Sequence, residues 1–426
     1  MKRKLSVQIR NEWRANLWLA AELLIVSMVM WYVLVTVFST LWLRTGSPGY
    51  DITGVWLVGY NVVDEEARDF DASRGDEESL RDDMEELLRR LREAPGVKAQ
   101  AVSSNAIPYN YNRNGYTSTL IRTDGSGEML QKFFVQKFVS PNYIVVMDIH
   151  GYNGETPEEL AEFMREKHGR LISANAFENQ DVVEYNTPDL IGQDWEIMYD
   201  DSTTSPLKVI PFQQRNDYEP ARDATIFQFN LLDERPWYPR NGYEITVRID
   251  PEREKEFVAW VNEKTGGYLS VGNVYVNDLT SIDSIRHLNQ ANIRELVHNR
   301  LAIVAFLMMS IFLGLLGAFW FRTQSRVGEI AIRKVNGATS AMIFRRLMGE
   351  GLLILTAVTP IALLGDWVLV RLDLVVYLFT DAAPLWQYAT CAVITYLLIA
   401  LAVVLGIWFP GRKAMAVDPA RALADE

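Results

Sequence analysis

The chemically richest part of the sequence is residues 322–351, which read RTQSRVGEIAIRKVNGATSAMIFRRLMGEG. Glu329 and Arg333 are four residues apart, so on a helix they share a face with the acid on the N-terminal side, the favourable order for an ion pair. An exposed pair of this kind contributes only about 0.3–0.5 kcal/mol. Its charges matter far more where a partner's groove excludes water, so the spacing favours a protein-docking surface over a catalytic centre.

Apolar residues recur at helical spacing on both sides of Asn336-Gly337, namely Val327, Ile330, Ile332 and Val335 before it, and Met342, Ile343 and Leu347 after it. Asn-Gly is a helix-ending pair, and Ser340 is placed to cap the next helix. The pattern predicts two short amphipathic helices, apolar on one side and cationic on the other. Such helices either dock a soluble partner or only anchor the chain in the membrane interface, and the pattern leaves both readings open.

Three carboxylic acids, Glu22, Glu350 and Asp366, lie in or beside long apolar stretches. Insertion scales put the cost of a charge at the bilayer centre at about 2.5–3.5 kcal/mol, so such residues are functional candidates by default. Glu22 and Glu350, however, lie within about two helical turns of basic flanks, where Arg14 or Arg346 can pair with them. We interpret all three as structural, because four helices without further charges make a poor ion path.

The sequence lacks the usual signatures of catalytic and cofactor sites. It has no G-x-x-x-x-G-K-[ST] loop for ATP phosphates, no G-x-S-x-G elbow and no H-E-x-x-H motif. The four histidines are scattered, and the single cysteine, Cys391, can form no disulfide within the chain. We predict that this chain is not an enzyme and holds no metal or cofactor. The net charge of −12 also argues against nucleic-acid binding.

These groups are positioned by four apolar stretches, each close to the roughly 20 residues that cross a bilayer. The stretches are residues 17–43, 301–321, 352–370 and 389–409, and an acidic hydrophilic segment separates the first two. A soluble cytosolic enzyme is therefore excluded. The predicted fold class is a polytopic α-helical membrane protein, with four transmembrane helices and a large α+β extracytoplasmic domain between helices 1 and 2.

Lysine and arginine are concentrated in residues 1–16, 322–348 and 410–426, and they are sparse in residues 371–388. Because positive flanks stay in the cytoplasm, this pattern predicts a multi-pass protein of a bacterial inner membrane with both termini inside. The expected order is a cytoplasmic amphipathic N-terminal segment (1–16), TM1 (17–43), the outer domain (44–299), TM2 (300–321), a cytoplasmic loop (322–348), TM3 (349–370), an outer loop (371–388), TM4 (389–409) and a cytoplasmic tail (410–426).

The outer domain alternates strand and helix patterns, which predicts an α+β fold, built as two subdomains. Helices are expected at residues 80–91, after the capping box Thr156–Glu159, and from Asp250 to Gly266. The strand candidates are residues 97–101, 132–138, 143–149, 171–177, 206–212, 224–230 and 243–249. From Thr280 no Pro or Gly occurs before Gly314, so we expect one helix of about 60 Å running into the membrane. It is either a rigid rod or a simple connector.

The loop motif resembles the signature of FtsX-like permeases, the membrane subunits of MacB-type (type VII, mechanotransmission) ABC transporters, which usually read R-x-x-E-I-[GA]-I-R-[KR]-x-x-G-A. The matching residues are Arg326, Glu329, Ile330, Ile332, Arg333, Lys334, Gly337 and Ala338. Asn336 departs from the family pattern, where Leu or Ile is commoner. The tail at 411–423 and the segments VSPNYIVVMDIHGYNG and LISANAF are similar to the family's closing motif and to its MacB-like periplasmic domain.

The resemblance implies a permease whose eight matching loop residues couple it to a separate cytoplasmic ATPase, which binds the ATP and magnesium. It also implies two permease copies, identical or not, with substrate handled at the outer side of the membrane and lipid around the helices. A periplasmic or outer-membrane partner is a further possibility. Gly314, Gly317 and Ala318 offer a small-residue contact, either across that pair of copies or within one chain.

Three other readings remain open at this point. Within the family, the chain could be a signalling permease that activates an extracytoplasmic partner, such as a cell-wall hydrolase, without transporting anything. From other classes, it could be a receptor for an external ligand, although no output domain is evident, or a scaffold that has lost its ATPase.

Overall fold

The computed structural model describes residues 13–109, 114–177, 191, 194–200, 203–212, 225–232, 239–325, 327–372 and 385–416. These residues divide into two compact units. One contains residues 13–45 and the described residues from 292 onward, and we call it the membrane unit. The other contains the described residues from 46 to 291, and we call it the outer unit.

The helices, in chain order, are α1 (Trp13–Thr45), α2 (Glu77–Leu91), α3 (Asn142–Val146), α4 (Pro157–Lys167), α5 (Glu254–Lys264), α6 (Ile282–Asn289), α7 (Ala291–Ser325), α8 (Val327–Val335), α9 (Ser340–Arg371) and α10 (Leu385–Met415). The strands are β1 (Val55–Val62), β2 (Val97–Ser104), β3 (Gly115–Arg122), β4 (Met129–Val139), β5 (Arg170–Ser173), β6 (Trp195–Asp200), β7 (Thr203–Ile210), β8 (Phe227–Leu231), β9 (Glu244–Ile249), β10 (Ser270–Val271) and β11 (Val274–Ser281).

Among the described residues, four helices are long and apolar enough to cross a membrane, and they form most of the membrane unit. The candidate spans are Leu17–Thr45, Ala291–Phe321, Ser340–Leu369 and Trp386–Lys413. Their shared core contains Leu19, Leu23, Ile311, Leu315, Phe319, Ile354, Leu355, Ile399, Val403 and Ile407. This arrangement confirms the four apolar helices of the predicted fold class.

Glycines let the helices of this bundle approach closely. A Cβ added at Gly406 of α10 would lie 2.8 Å from the Cβ of Leu315 on α7. A Cβ at Gly365 of α9 would lie 2.9 Å from the Cε of Met28 on α1. Small residues at such contacts are the usual device by which membrane helices pack, because lipid supplies no hydrophobic drive between them.

The outer unit is built on one sheet of eleven strands, in the order β10-β11-β1-β9-β2-β4-β3-β6-β7-β5-β8. The last strand, β8, also pairs in parallel with β4, so six strands from β4 to β8 close into a ring. The other five strands form an open part, and a short pairing of β2 with β4 joins the two parts. The expected pair of subdomains therefore corresponds to two parts of one continuous sheet within a single compact unit.

Helices cover this sheet where the sequence places apolar faces. Helix α2 buries the predicted face, which consists of Leu80, Met84, Leu87, Leu88 and Leu91. Helix α4 begins with the predicted capping box, in which Thr156 and Glu159 each bond the other's backbone N–H. Together these elements confirm an α+β domain between the first membrane helix and the later ones.

The strand predicted at residues 143–149 is wrong, because Asn142–Val146 is the short helix α3. The segment is rich in β-branched residues, which favour strands. Its burial follows a helical spacing instead, with Tyr143, Ile144 and Met147 fully buried against the sheet. Here tertiary packing decides the outcome over local propensity.

The continuous helix predicted from Thr280 is also wrong, since α6 ends at Asn289 and α7 begins at Ala291. The interruption lies at Gln290, whose backbone has φ −87° and ψ 6° and whose N–H bonds the carbonyls of Arg286 and Leu288. The side-chain amide of Asn289 donates to the carbonyl of Tyr109, 2.9 Å away. A contact with a distant loop leaves no Pro or Gly signal in the sequence, so the break could not be predicted.

Candidate functional site

The loop between α7 and α9 is shaped by a specific turn after α8. Gly337 has φ +90°, a left-handed conformation that glycine adopts readily. Its N–H donates to the Lys334 carbonyl at 3.0 Å, and the Ala338 N–H donates to the Arg333 carbonyl at 2.9 Å. This pair of bonds is the Schellman pattern, which satisfies the last carbonyls of a helix. It gives the Gly-Ala of the sequence motif a structural reason.

Helix α9 begins with a cap, although the capping residue differs from the one expected. The Thr339 hydroxyl accepts a bond from the Met342 N–H at 3.3 Å, so the prediction that Ser340 caps this helix is wrong. The Ser340 hydroxyl instead donates to the carbonyl of Met415 at 3.2 Å. Adjacent Thr and Ser are equally good caps by type, so the sequence could not choose between them.

The two loop helices divide their apolar residues between two faces. Ile330 and Ala331 of α8, with Ile343 and Leu347 of α9, are buried, and three of them belong to the core of the bundle. Three other apolar side chains are half or more exposed, namely Ile332, Val335 and Met342. The loop thus presents apolar side chains outward as well as inward, where the sequence pattern predicted one apolar face and one cationic face.

Beside the exposed apolar residues lies the predicted ion pair. The Nε of Arg333 is 3.0 Å from Oε1 of Glu329, and the two side chains are 39% and 44% exposed. The pair lies along α8, and among the described residues neither side chain has a hydrogen bond to another helix of the bundle. Its geometry is therefore set by the helix alone, and it can meet a partner preformed. We call Glu329, Ile332, Arg333, Val335 and Met342 the loop surface.

Lys334, also part of the sequence motif, has an internal partner. Its Nζ donates to the carbonyl of Met415, the last residue of α10, at 2.7 Å. A cation is favoured at a helix C-terminus, where unpaired carbonyls and the helix dipole carry negative charge. This contact fastens the loop to the end of α10. A backbone acceptor leaves no mark in a sequence, so this role could not be predicted.

A second fastening joins the same end of α10 to α7. The Nζ of Lys413 lies 3.9 Å from the ring centroid of Trp320, a cation–π distance. Trp320 in turn stacks on Phe409, with centroids 5.6 Å apart. This contact could have been predicted from the sequence, because a lysine in the last turn of a membrane helix lies close to aromatic residues of the membrane interface.

Two of the intramembrane carboxylates have identifiable neighbours. Glu350 lies 3.4 Å from the Nε of Arg346, the pairing that the sequence suggested. A Cβ added at Gly314 would collide with the carboxylate of Glu22, so this glycine makes room for that acid within one chain. The side chain of Arg14 lies outside the described side chains.

The third carboxylate, Asp366, is 3% exposed, and its Oδ2 has no hydrogen-bond partner among the described residues. It is distant in sequence from the loop. Arg326 and the tail from residue 417 onward, which carry parts of the sequence motifs, lie outside the described residues. Within the described ranges, no three His, Cys, Asp or Glu side chains are grouped to hold a metal ion.

Gly337→Ala is expected to lower the free energy of unfolding by about 1–2 kcal/mol, because the left-handed backbone conformation is sterically strained for alanine and not for glycine. Nothing lies within 4 Å of the added Cβ, so the cost comes from the backbone and not from a clash. Gly267→Ala is the matched control, since that exposed glycine has room for the added Cβ and no positive φ. Thermal unfolding of the purified variants checks this. Equal midpoints for the two variants would show that the turn is not under conformational constraint.

Comparison with known proteins bears on this loop and the helices around it. The family model for the FtsX-like permease C-terminal domain matches residues 301–419, which include α8 and the whole loop. No curated protein matches the chain. A solved structure described as a heavy metal efflux pump is 13% identical, covering 87% of this chain and 35% of that chain, with a TM-score of 0.18. On the family match, residues 301–419 of the chain form an FtsX-like permease C-terminal domain.

Proposed function

We propose that the chain is the permease subunit of an ABC transporter, which couples ATP hydrolysis by a separate cytoplasmic ATPase to movement of its outer unit. The movement would serve export, or extraction of a substrate at the outer side of the membrane. The observation that carries the proposal is the loop surface, a preformed ion pair flanked by exposed apolar residues inside the region that matches the family.

The loop surface is attached firmly enough to transmit force. Ile330 and Ala331 are buried on the opposite side of the same helix, and Lys334 bonds the end of α10. A push on Ile332 or Arg333 therefore acts on the bundle as well as on the loop. Because a packed core moves between discrete arrangements rather than deforming continuously, such a push can be converted into a helix shift.

Helix α7 is the covalent route from this loop toward the outer unit. It runs without interruption from Ala291 to Ser325, about 50 Å at 1.5 Å per residue. A long helix resists bending within its length, so displacement at one end is passed to the other. The break at Gln290 makes this rod shorter than the sequence suggested, and it begins where the outer unit ends.

An ATPase with two nucleotide sites needs two loop surfaces, which would come from a second permease copy related by a two-fold axis. The copy is either identical or a related chain. Gly314 is occupied by Glu22 of its own chain, whereas Gly317 is exposed and open. Gly317 is thus available for contact with that second copy. The ATP and magnesium would be bound by the ATPase, and lipid would cover the remaining helix faces.

The second candidate is a signalling permease that activates an extracytoplasmic partner, such as a cell-wall hydrolase, without moving a substrate. It is favoured by the close helix contacts at Gly365 and Gly406, which suit a bundle that moves as a body. Reconstitution separates the two. A transporter depletes a substrate from one side of the membrane, whereas a signalling permease raises a partner's activity with nothing transported.

The proposal requires the loop to face the cytoplasm and the outer unit to face away from it. With Cys391 replaced, a cysteine at the exposed Ser126 is expected to react with an impermeant thiol reagent in intact spheroplasts, and a cysteine at Ser325 is not. Permeabilised cells, in which both should react, control for reagent access. Labelling only of the cysteine at position 325 would show that the loop lies outside the cytoplasm, where a cytoplasmic ATPase could not bind it.

A further inference from the structure

Lys137 on β4 is a lysine buried in the outer unit, with 1% of its surface exposed. Its Nζ donates to the carbonyl oxygens of Asn105 and Ala106, at 3.2 and 3.1 Å. The same nitrogen lies 4.6 Å from the ring centroid of Phe227. Lysine is almost never fully buried unless it is paired, so its position is unusual.

Among the described residues, two other titratable groups lie near this lysine, Glu244 on β9 and Tyr143 on α3. Glu244 of β9 accepts bonds from the backbone N–H groups of Ala106 and Ile107, at 2.8 and 3.1 Å. Tyr143 of α3 donates its hydroxyl to the Ala106 carbonyl at 2.5 Å. Three side chains from three elements therefore hold one backbone segment, residues 105–109, which we call the strap.

The strap is conformationally costly and reaches the last helix of the outer unit. Asn105 and Tyr109 have φ values of 61° and 71°, a left-handed region that non-glycine residues enter at a cost. The Tyr109 carbonyl accepts the bond from Asn289, the last residue of α6. The side chains that fix the strap therefore also fix the C-terminal end of α6, which precedes the start of α7 in the chain.

Protonation of the buried amine opposes its burial. Loss of hydration lowers the pKa of Lys137 from 10.5 to about 7, and the charge of Glu244 offsets only part of that effect. When the strap opens and water reaches the amine, its pKa returns toward the value in water. Between these two values the open state binds a proton that the closed state lacks, so falling pH favours opening.

We propose that Lys137 makes the strap a proton-linked clasp on the end of α6, which opens as the extracytoplasmic side becomes more acidic. The closed clasp holds Asn105 and Ala106 against the sheet and keeps Tyr109 bonded to Asn289. Opening removes that bond and frees the residue before the break at Gln290. The pH of the outer compartment thereby sets how tightly the outer unit holds the helix that leads to the membrane.

Hydrogen exchange of the full-length protein in nanodiscs tests this, with rates corrected for the intrinsic effect of pH. Protection of the strap is expected to rise about tenfold for each pH unit, or about 100-fold between pH 7 and pH 9, and to be constant below pH 7. Residues 282–289 should follow the same profile. A flat wild-type profile from pH 7 to pH 9 would overturn the proposal, even if no variant folds.

Variants then assign the effect to its residues. Lys137→Met should abolish the pH dependence in both segments, whereas Lys98→Met, at an exposed lysine paired with Asp250, should leave it unchanged. Asn289→Ala should retain the pH dependence in the strap and lose it in residues 282–289. An unaltered profile in Lys137→Met, or a profile in α6 that survives Asn289→Ala, would contradict the mechanism.

Discussion

Replacing Glu329 or Arg333 with alanine is expected to uncouple the ATPase from the permease while the chain still folds and inserts. The pair is exposed and worth only about 0.3–0.5 kcal/mol to α8 itself, so stability should change little. Against a partner that excludes water, removing one charge and stranding the other costs roughly 2–5 kcal/mol. Binding or stimulation of the ATPase should therefore fall by more than about tenfold.

Stimulation of ATP hydrolysis by the reconstituted permease, measured with co-purification of the two subunits, checks this expectation. Glu256→Ala is the matched control, because Glu256 forms a similarly exposed ion pair with Arg253 in the outer unit. That variant should couple like wild type. Wild-type coupling in both the Glu329 and the Arg333 variants would reduce the loop to a membrane-surface anchor.

The second large effect concerns the stability of the outer unit against pH. The lowered pKa of Lys137, about 7 against 10.5 in water, means that the folded state loses a proton that the unfolded state keeps. Stability from this group is thus fully present above about pH 10.5 and is lost as the pH falls to 7. The wild-type free energy of unfolding should rise by about 3 kcal/mol between pH 7 and pH 9.5, relative to Lys137→Met.

Methionine suits this comparison because it has nearly the volume of lysine and carries no charge. Urea unfolding of the full chain in detergent, repeated from pH 6 to pH 9.5, provides the two curves. The wild-type free energy of unfolding minus that of Lys137→Met should be constant below pH 7 and should increase as the pH rises above 7. Lys98→Met controls for the loss of a surface lysine. Parallel curves over the whole range would mean that Lys137 titrates as it does in water.

The sequence predicted those elements whose signals are local. The apolar spacing of α2 and the reciprocal bonds of Thr156 and Glu159 were read from a few adjacent residues. The four apolar helices followed from composition and length alone. Such features need no knowledge of distant contacts, and the structure confirms them.

Features that depend on distant contacts were missed. The break at Gln290 involves Tyr109, far along the chain, and α3 is a helix because the sheet beneath it buries Tyr143 and Ile144. Lys137 shares one face of β4 with Val135 and Val139. The strand pattern alone does not predict that other elements cover this face at the lysine. A lysine in a strand is predicted to be exposed unless the positions of the neighbouring elements are known.

The candidate site divides in the same way. Glu329 and Arg333 could be paired from their spacing, and the glycine at 337 could be placed at a helix end. The bond from Lys334 to the carbonyl of Met415 could not, because its acceptor is backbone. The same limit explains why the outward apolar face was missed, since which side of α8 is buried depends on where the bundle lies.

Photocrosslinking from the loop surface tests directly whether this surface docks an ABC ATPase. A photoreactive amino acid at the exposed Val335 should crosslink to an ABC ATPase subunit in native membranes, identified by its Walker sequence, and the same probe at the fully buried Ala331 should not. The crosslink is expected to be lost in the Arg333→Ala background. Crosslinks from Val335 only to lipid or to this chain itself, with the ATPase present, would contradict docking at this surface.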